Sequence, residues 1–415
     1  MPHRYDNSDM ETISLHHLHV FAGVAAAGGV RRSSESLHRA SSAIARSVAA
    51  LEQTLGVALF ERKGRGMLLT RAGEIVLERA RHIEAALREV REEAVRLRVR
   101  PGVTVASLEA LHNERRLEVA VMLAEVHHMP SVAASVGVSQ SAVSQAIARL
   151  EDALGQPVFT RTARGMVPTD AGSRWVVRFE RALAELRHIR ADIAALQGVL
   201  EGAVTIGALP LGRTLLLPMA IADVHHRHPR LCFRSLESPY EELTAGLLSG
   251  RIDFILGALR PHPSQGLATE VLFGDRIALI ARASHPLANR KRVTLADLEP
   301  YPWVLSRAAS PSRQALDGVF ASRGLPLPQP LVETGDLALV RGLLLQGDLV
   351  TALSAHQLHH EIEAGWLVEL DLPLPDTTRS IGITTRAGAR LSPGADALIA
   401  ALRHASQSME TPVDK

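Results

Sequence analysis

The sequence predicts a multidomain chain: two small all-α units, each carrying a two-stranded hairpin, followed by an α/β domain. Three observations predict it. The string Ser42-Ala43, Leu51-Glu52, Leu55-Gly56, Phe60, Arg62, Arg65-Gly66-Met67, Thr70, Ala72-Gly73 recurs 99 residues later, without a gap. Its second occurrence reads Ser141-Ala142, Leu150-Glu151, Leu154-Gly155, Phe159, Arg161, Arg164-Gly165-Met166, Thr169, Ala171-Gly172. A repeat of that length is a whole supersecondary unit. Arg100-Pro101-Gly102 breaks the chain between the copies. After Gly198, apolar strand-like runs alternate with helical stretches, the pattern of a parallel sheet with crossover helices.

In the first copy, Leu15, Leu18, Phe21 and Val24 recur at helical spacing and mark one face of a helix. A short helix over about residues 30–38 leads to a third from Ser41 or Ser42 to Leu55, which Gly56 is placed to end. Leu59-Phe60 and Met67-Leu68-Leu69-Thr70 read as short strands joined by the basic turn Arg62-Lys63-Gly64-Arg65-Gly66, a wing. Thr70 caps a long helix through about Leu97, dense in Arg and Glu at helical spacing. The second copy repeats the plan. A helix over about Arg115–His127 precedes Val132–Val136, capped by Ser131 and closed by Gly137, and Ser139 then caps a helix over Gln140–Leu154. A wing around Thr162–Gly165 and a long helix over about Asp170–Leu196 follow. Both units therefore read as winged helix-turn-helix domains.

In the α/β part, strands are expected at Ala203–Ala208, Leu231–Leu236, Asp253–Gly257, Arg276–Ala281, Trp303–Ser306, Leu349–Leu353 and Arg379–Thr385. Helices are expected over about Arg213–His226, Tyr240–Leu248 and Pro393–His404, before a polar tail.

Composition narrows the class. The single cysteine, Cys232, excludes an intrachain disulfide and a thiolate zinc site. No apolar run reaches the roughly 18 residues of a membrane span, and residues 1–10 lack the apolar core of a secretory signal. These features point to a cytoplasmic chain with no membrane partner. The first 100 residues hold 16 Arg and Lys against 12 Asp and Glu, while the whole chain carries only +2. Polyanion binding must therefore come from local patches and not from a global field.

The second copy has groups suited to a duplex. In a helix-turn-helix the start of the third helix enters the major groove while flanking parts grip phosphates. Gln140, Ser141, Ser144 and Gln145 occupy the start of that helix, with Ala142, Val143, Ile147 and Leu150 expected on its buried side. Gln pairs bidentately with adenine, and Ser serves donor or acceptor edges. Arg149, Arg161 and Arg164 are candidate phosphate contacts. Any small three-helix domain shows this periodicity, so the residue string itself is the sharper signal.

Val138-Ser139-Gln140-Ser141-Ala142-Val143-Ser144-Gln145 through Phe159-Thr160-Arg161, with the tail Arg164-Gly165-Met166-Val167-Pro168-Thr169-Asp170-Ala171-Gly172, resembles the winged helix-turn-helix of LysR-type transcriptional regulators. The resemblance extends over nearly all of residues 115–405. It implies that Gln140, Ser141, Ser144 and Gln145 face bases, with the capping Ser139 among the DNA contacts. The first copy matches the scaffold but departs where sequence is read: Ala40 replaces Ser139, and Ala45 and Arg46 replace Ser144 and Gln145. Losing an N-cap costs about 1 kcal/mol, although Ser41 could cap one residue later. Ser41, Ser42, Arg46, Arg62 and Arg65 are its candidate DNA contacts. Two readings of that copy stay open: a second reader of different specificity, or a phosphate-gripping or dimerising module.

The resemblance also implies that the helix at 171–197 pairs with its counterpart in a second subunit, giving a homodimer or homotetramer on a pseudo-palindromic promoter site, with RNA polymerase a candidate partner. The helix at about 71–97 would form a second pair or pack within the chain. The organisation expected is a first unit at 13–98, a linker at 99–114, a second unit at 115–198, an effector domain at 199–405 and a tail at 406–415. The effector domain would have two α/β lobes like those of periplasmic binding proteins, lobe I at 199–273 and 377–405 and lobe II at 274–376.

A small-molecule effector, a sugar or small organic acid, would lie in the cleft, where helix N-termini offer free amides. Leu209, Pro210, Leu211, Gly212 and Thr214 would form one wall, with Ser238, Arg260, Ser306, Arg307, Arg313 and Asp336 as further candidates. Pro210 has no amide hydrogen to donate, which weakens a simple carboxylate site. Gly207-Ala208-Leu209-Pro210-Leu211, with Glu333-Thr334 and Leu353-Ser354, resembles the galactose-binding-protein regulator subgroup, whose effectors are sugars.

An enzyme is the natural rival. No supported Ser-His-Asp arrangement, Gly-Lys-Ser/Thr phosphate loop or Gly-x-Gly-x-x-Gly helix start occurs. No cofactor or metal is expected, because His225-His226-Arg227-His228 and His356, His359 and His360 resemble ligand clusters by composition only. A third reading is a constitutive DNA-binding protein whose first copy is structural and whose effector domain senses nothing.

Overall fold

A computed structural model describes residues 12–63, 66–97, 105–260, 262–374 and 377–407. These form two compact units that divide at Glu201/Gly202, apart from Leu248–Arg251, which groups with the first. Arg65, the break at Arg100–Gly102 and most of the tail lie outside the described residues.

The first unit runs α1 (Leu15–Ala27), α2 (Val30–Ser36), α3 (Ser41–Leu55), β1 (Phe60–Lys63), β2 (Gly66–Leu69) and α4 (Arg71–Arg96). After a 3-10 turn at Leu108–Leu111 the same order returns as α5 (Glu114–Val126), α6 (Met129–Val136), α7 (Gln140–Leu154), β3 (Phe159–Thr162), β4 (Gly165–Pro168) and α8 (Asp170–Leu196).

The repeated residues are those that fix this geometry. Glu52 Oε1 accepts from the amides of Leu59 and Phe60, as Glu151 Oε1 does from Val158 and Phe159, so each third helix is tied to its hairpin. Thr70 and Thr169 cap α4 and α8 by accepting from the amides of Gly73 and Gly172. A Cβ at either glycine would sit 2.1 or 2.0 Å from the carbonyl oxygen of Leu59 or Val158, which explains the repeated Ala-Gly. Gly56 and Gly155 end α3 and α7 in the left-handed conformation, with φ of 68° and 66°.

Three local expectations are corrected. Ser131 caps nothing: Pro130 sits in the first turn, where its missing N–H costs nothing, and α6 starts earlier, at Met129. Ala142 is exposed and does not join the buried side of α7. Ser41 does not cap α3, whose N-cap residue is Ala40 with no side-chain bond.

A single apolar core joins both copies. Leu18, Phe21, Val76, Leu87 and Val90 belong to the same cluster as Leu117, Ile147, Trp175, Phe179 and Ile189. At its centre α4 packs along α8 within one chain. The apolar stripe of α8, from Trp175 to Ile193, is buried, and α4 is among the elements packed against it. Arg79, fully buried, crosses from α4 to Glu185 (2.7 Å) and Asp192 (2.8 Å) on α8. Burial alone would raise the Glu185 carboxyl. Hydrogen bonds from His82 and Arg79, with the charge of Arg79, bring it instead to about 2.

The second unit holds two five-stranded sheets. Its elements are β5 (Gly202–Ala208), α9 (Pro210–Thr214), α10 (Leu216–Arg227), β6 (Leu231–Leu236), α11 (Tyr240–Ser249), β7 (Phe254–Ala258), β8 (Leu267–Asp275), β9 (Ile277–Arg282), β10 (Trp303–Leu305), α12 (Pro311–Ser322), β11 (Pro330–Glu333), α13 (Leu337–Gln346), β12 (Val350–Ser354), α14 (His359–Glu363), β13 (Leu367–Glu369), β14 (Arg379–Arg386) and α15 (Pro393–Gln407). The expected single helix over 213–226 is two, because Pro218 removes an amide and clashes with the Thr214 carbonyl of a continuous helix.

The sheet orders are β6-β5-β7-β14-β8 and β11-β10-β12-β9-β13. Neither sheet is wholly parallel, as the alternation of strands and helices implied: β5 pairs parallel with β6 and β7, while β14 runs antiparallel to β7 and β8. The antiparallel members follow from connectivity. The chain leaves the first sheet through β8 and returns through β14, and those adjacent strands need no crossover helix.

Two outcomes follow from the buried charges. Arg79→Met should cost 3–5 kcal/mol in urea denaturation, since it strands two buried carboxylates; a loss under about 1 kcal/mol would mark the pairs as surface-like. His112, buried against His19 at 4.3 Å between ring centroids, titrates at about 4 because burial and the His19 charge oppose its protonation. Its ordinary value is 6.5, so its contribution to stability is complete above pH 6.5 and is lost as pH falls through 4. That swing is on the order of 3 kcal/mol. His112→Leu should flatten the pH dependence of the urea midpoint in this window.

Candidate functional site

Two surfaces gather the residues singled out in the sequence. On α7, Gln140, Ser141, Ser144, Gln145 and Arg149 are all exposed, while Val143, Ile147, Leu150 and Leu154 are buried beneath them. The helix therefore shows a continuous polar face held from below by apolar side chains. Ser139 is engaged locally: its hydroxyl accepts from the Ala142 amide at 3.2 Å and lies 2.8 Å from that of Ser141. Arg161 and Arg164 stand exposed on the β3–β4 hairpin, whose turn is held by the Thr162 hydroxyl accepting from the Arg164 amide. Arg149 on α7, and Arg161 and Arg164 on the hairpin that follows it, make no ion pair with a described residue.

The corresponding face of α3 is built differently. Ser42, Ala45 and Arg46 are exposed, Ser41 is half-buried, and Ile44, Ser47, Val48 and Leu51 face inward. Arg46 stands where α7 has Gln145, again without an ionic partner among the described residues. Arg62 lies on β1; its side chain, and Arg65 altogether, fall outside what is described.

The second unit encloses a cavity of about 420 Å³ between its two sheets. Of the expected residues, Leu209, Pro210, Leu211, Ser238, Arg260, Ser306 and Arg307 line it. Four others do not. Gly212 is packed onto Leu256, where a Cβ would meet Cγ at 2.8 Å. The Thr214 hydroxyl donates to the Leu211 carbonyl at 3.3 Å. Asp336 caps α13 by accepting from the amides of Ala338 and Leu339. Arg313 is buried on Asp317 at 2.8 Å.

The helix starts expected to offer free amides are largely occupied. Pro210 and Pro311 open α9 and α12, and the Ser310 hydroxyl accepts from the Arg313 amide. Polar recognition in the cleft falls to side chains instead. Arg260 stacks over Tyr240 at 4.5 Å, and Arg213 is paired with Glu237 at 2.6 Å.

The sequence reading missed Arg379, which also lines the cavity. Its Nε donates to Asp275 Oδ2 at 2.8 Å and its Nη1 to the Ser312 hydroxyl at 2.6 Å. Asp275 Oδ1 accepts from the Ser354 hydroxyl at 2.6 Å, with His356 Nδ1 at 3.3 Å. Burial would raise the Asp275 carboxyl, but the His356 hydrogen bond, the Arg379 charge and the Ser354 hydroxyl hold it below its ordinary value. Asp275 ends β8 and Arg379 begins β14, so this network ties together the two strands on which the chain passes between the sheets. Tyr240, Ser310, Ser312, Gln357 and the carboxylates Glu237 and Glu241 also line it and were also missed. No local motif marks any of them.

Among the described residues, two groups bring three possible metal ligands within 4.8 Å: His19, Glu84 and His112, and His359, His360 and Glu363. In the first, Glu84 is already bonded to His19 Nδ1 at 2.8 Å; in the second, His359 is paired with Glu363 at 3.1 Å. The His225–His228 run forms no such group. No helix among the described residues is long and apolar enough to cross a membrane.

The family described as LysR substrate binding domain matches residues 197–407, and that described as bacterial regulatory helix-turn-helix protein, lysR family, matches twice, over 15–74 and 115–173. The HTH-type transcriptional regulator GalR of Pseudomonas putida is 44% identical over 396 residues, covering 95% of this chain and 98% of that protein. The DNA-binding transcriptional dual regulator OxyR of Escherichia coli is 30% identical over 292 residues, 70% of this chain and 95% of its own. The shorter relative thus matches nearly its full length while leaving a large part of this chain unmatched, whereas GalR spans almost all of it. Among solved structures, CbnR, a LysR family transcriptional regulator, superposes with a TM-score of 0.51 at 18% identity, over 71% of this chain and 99% of its own, a likeness of fold alone. With a helix-turn-helix region ahead of a substrate-binding domain, and with regulators and not enzymes as its relatives, this chain belongs to the LysR family of transcriptional regulators.

Proposed function

We propose that this protein is a ligand-responsive regulator that reads a pseudo-palindromic promoter site in double-stranded DNA through a winged helix-turn-helix at residues 115–198. A divergent copy at 13–98 and a two-lobed effector domain at 199–405 complete it. It works in the cytoplasm, where its DNA lies. The observation that carries the reading is the α7 face: four hydrogen-bonding side chains exposed on one helix, braced by buried Val143, Ile147 and Leu150, with Arg149 on the same helix and Arg161 and Arg164 exposed on the following hairpin. Gln140, Ser141, Ser144 and Gln145 meet base edges, and the arginines meet phosphates.

The cleft senses a sugar or a small organic acid. Hydroxyls of Ser238, Ser306, Ser310 and Ser312 suit a polyhydroxylated ligand, and Arg260, Arg307 and Arg379 suit an acidic group. The leucine and proline wall and Tyr240 supply an apolar face against which a sugar ring can lie. Effector binding regulates by favouring one assembly state over another, which requires unequal affinity for the two.

A footprint on the gene's own upstream DNA tests the first half of this reading. Gln140→Ala with Ser144→Ala should abolish protection, since each bidentate contact carries about 1–3 kcal/mol of discrimination; unchanged protection would remove α7 as the reader. Calorimetry against a panel of sugars and small acids tests the second half. Arg260→Met should weaken the bound compound by about 10-fold or more, and the same compound should alter the wild-type footprint. A compound that binds without touching the footprint would leave a constitutive DNA-binding protein.

A further inference from the structure

Two ion pairs between the copies are reciprocal, as contacts across a two-fold axis are. In a symmetric pair, if residue i of one half touches residue j of the other, then j of the first touches i of the second. Here the halves are offset by 99 residues, so Arg79 corresponds to Arg178 and Glu93 to Asp192. Arg79 bonds Asp192 at 2.8 Å, and Arg178 bonds Glu93 at 3.1 Å, which is that reciprocity, with α4 and α8 antiparallel. On the axis a residue meets its own counterpart: the Leu15 amide donates to Glu114 Oε2 at 3.1 Å, and those positions are also 99 apart. A third pair meets at corresponding places, on one side directly and on the other through Ala106. Arg190 donates to the Thr54 carbonyl at the end of α3. Its counterpart Arg91 donates to the Ala106 carbonyl, and the Ala106 amide donates to Ala153, the counterpart of Thr54.

This operation carries α3 onto α7. A two-fold relation between recognition helices is what lets two readers enter two half-sites of one duplex. The apolar stripe of α8 is already covered by α4, so a second subunit is not needed to create it.

We infer that a single chain supplies both readers of one operator, and that its two half-sites are unlike. This rests on the DNA-binding reading above. The α7 half, with Gln140 and Gln145, selects adenine; the α3 half, with Arg46 at the position of Gln145 and Ala45 at that of Ser144, selects guanine.

The test is selection of randomised duplexes with the full-length chain, followed by chain counting on the selected duplex by native mass spectrometry. The expected motif has two unlike half-sites, with centres about 10 base pairs or a multiple apart. Gln145→Ala should relax preference about 10-fold in one half alone and Arg46→Ala in the other alone. Ala45→Ser with Arg46→Gln should draw the two halves toward one sequence, and chains should equal pairs of half-sites protected. A true palindrome blurred in both halves by Gln145→Ala, indifferent to Arg46→Ala and holding two chains per pair, would overturn the inference while leaving α7 as a reader. No enriched motif at all would overturn the DNA-binding reading itself.

Discussion

The antiparallel packing of α4 on α8, sealed by the guanidinium of Arg79, is the constraint on which the first unit depends. Two helices of some seven turns each bring Leu87 and Val90 of one copy into the same core as Trp175 and Phe179 of the other. Without that shared core each copy would be a small three-helix domain with an uncovered apolar stripe on its long helix. The buried ion group does not drive this packing, because desolvating an arginine and two carboxylates roughly offsets their attraction. It fixes register: Arg79 finds Glu185 and Asp192 together only at one sliding position of the helices.

Much of this was legible. Leu-Glu, Leu-Gly, Thr and Ala-Gly of the repeat each act over short sequence distances: a side chain bonding amides seven and eight residues on, a left-handed stop, a cap, and a glycine beneath a carbonyl. Such chemistry shows in a string. Arg79 did not stand out, because in α4 it is one of many arginines at helical spacing, and its partners lie 106 and 113 residues away. An amphipathic stripe states that a face is covered without stating by what, so the packing of α4 on α8 could not be chosen from the sequence over other partners.

The effector unit divides in the same way. Continuous apolar strands such as Phe254–Ala258 could be placed from their residues, and Leu209–Leu211 was rightly put at the cleft, although Pro210–Thr214 is a helix and not a loop. The short edge strands β11 and β13, and the long alternating β8, could not. The crossings near Asp275 and Arg379 could be placed, but the pairing of these two side chains in the cleft was invisible for a physical reason. They stand at the ends of two adjacent strands separated by over a hundred residues, and their meeting depends on the return path of the chain. Two of the four expected cleft residues that failed, Asp336 and Thr214, were read as ligand groups, but their oxygens bond the adjacent backbone.

The two symmetry-related arginines have taken different surroundings: Arg79 is sealed from water between two carboxylates, whereas Arg178 remains 23% exposed beside Glu89 and Glu93. In an assembly of identical subunits every substitution is imposed twice, and a change that suits one side is carried to the other regardless. Joining both sides in one polypeptide removes that coupling. Each side is then free to differ, and Arg79 and Arg178 do differ in their surroundings.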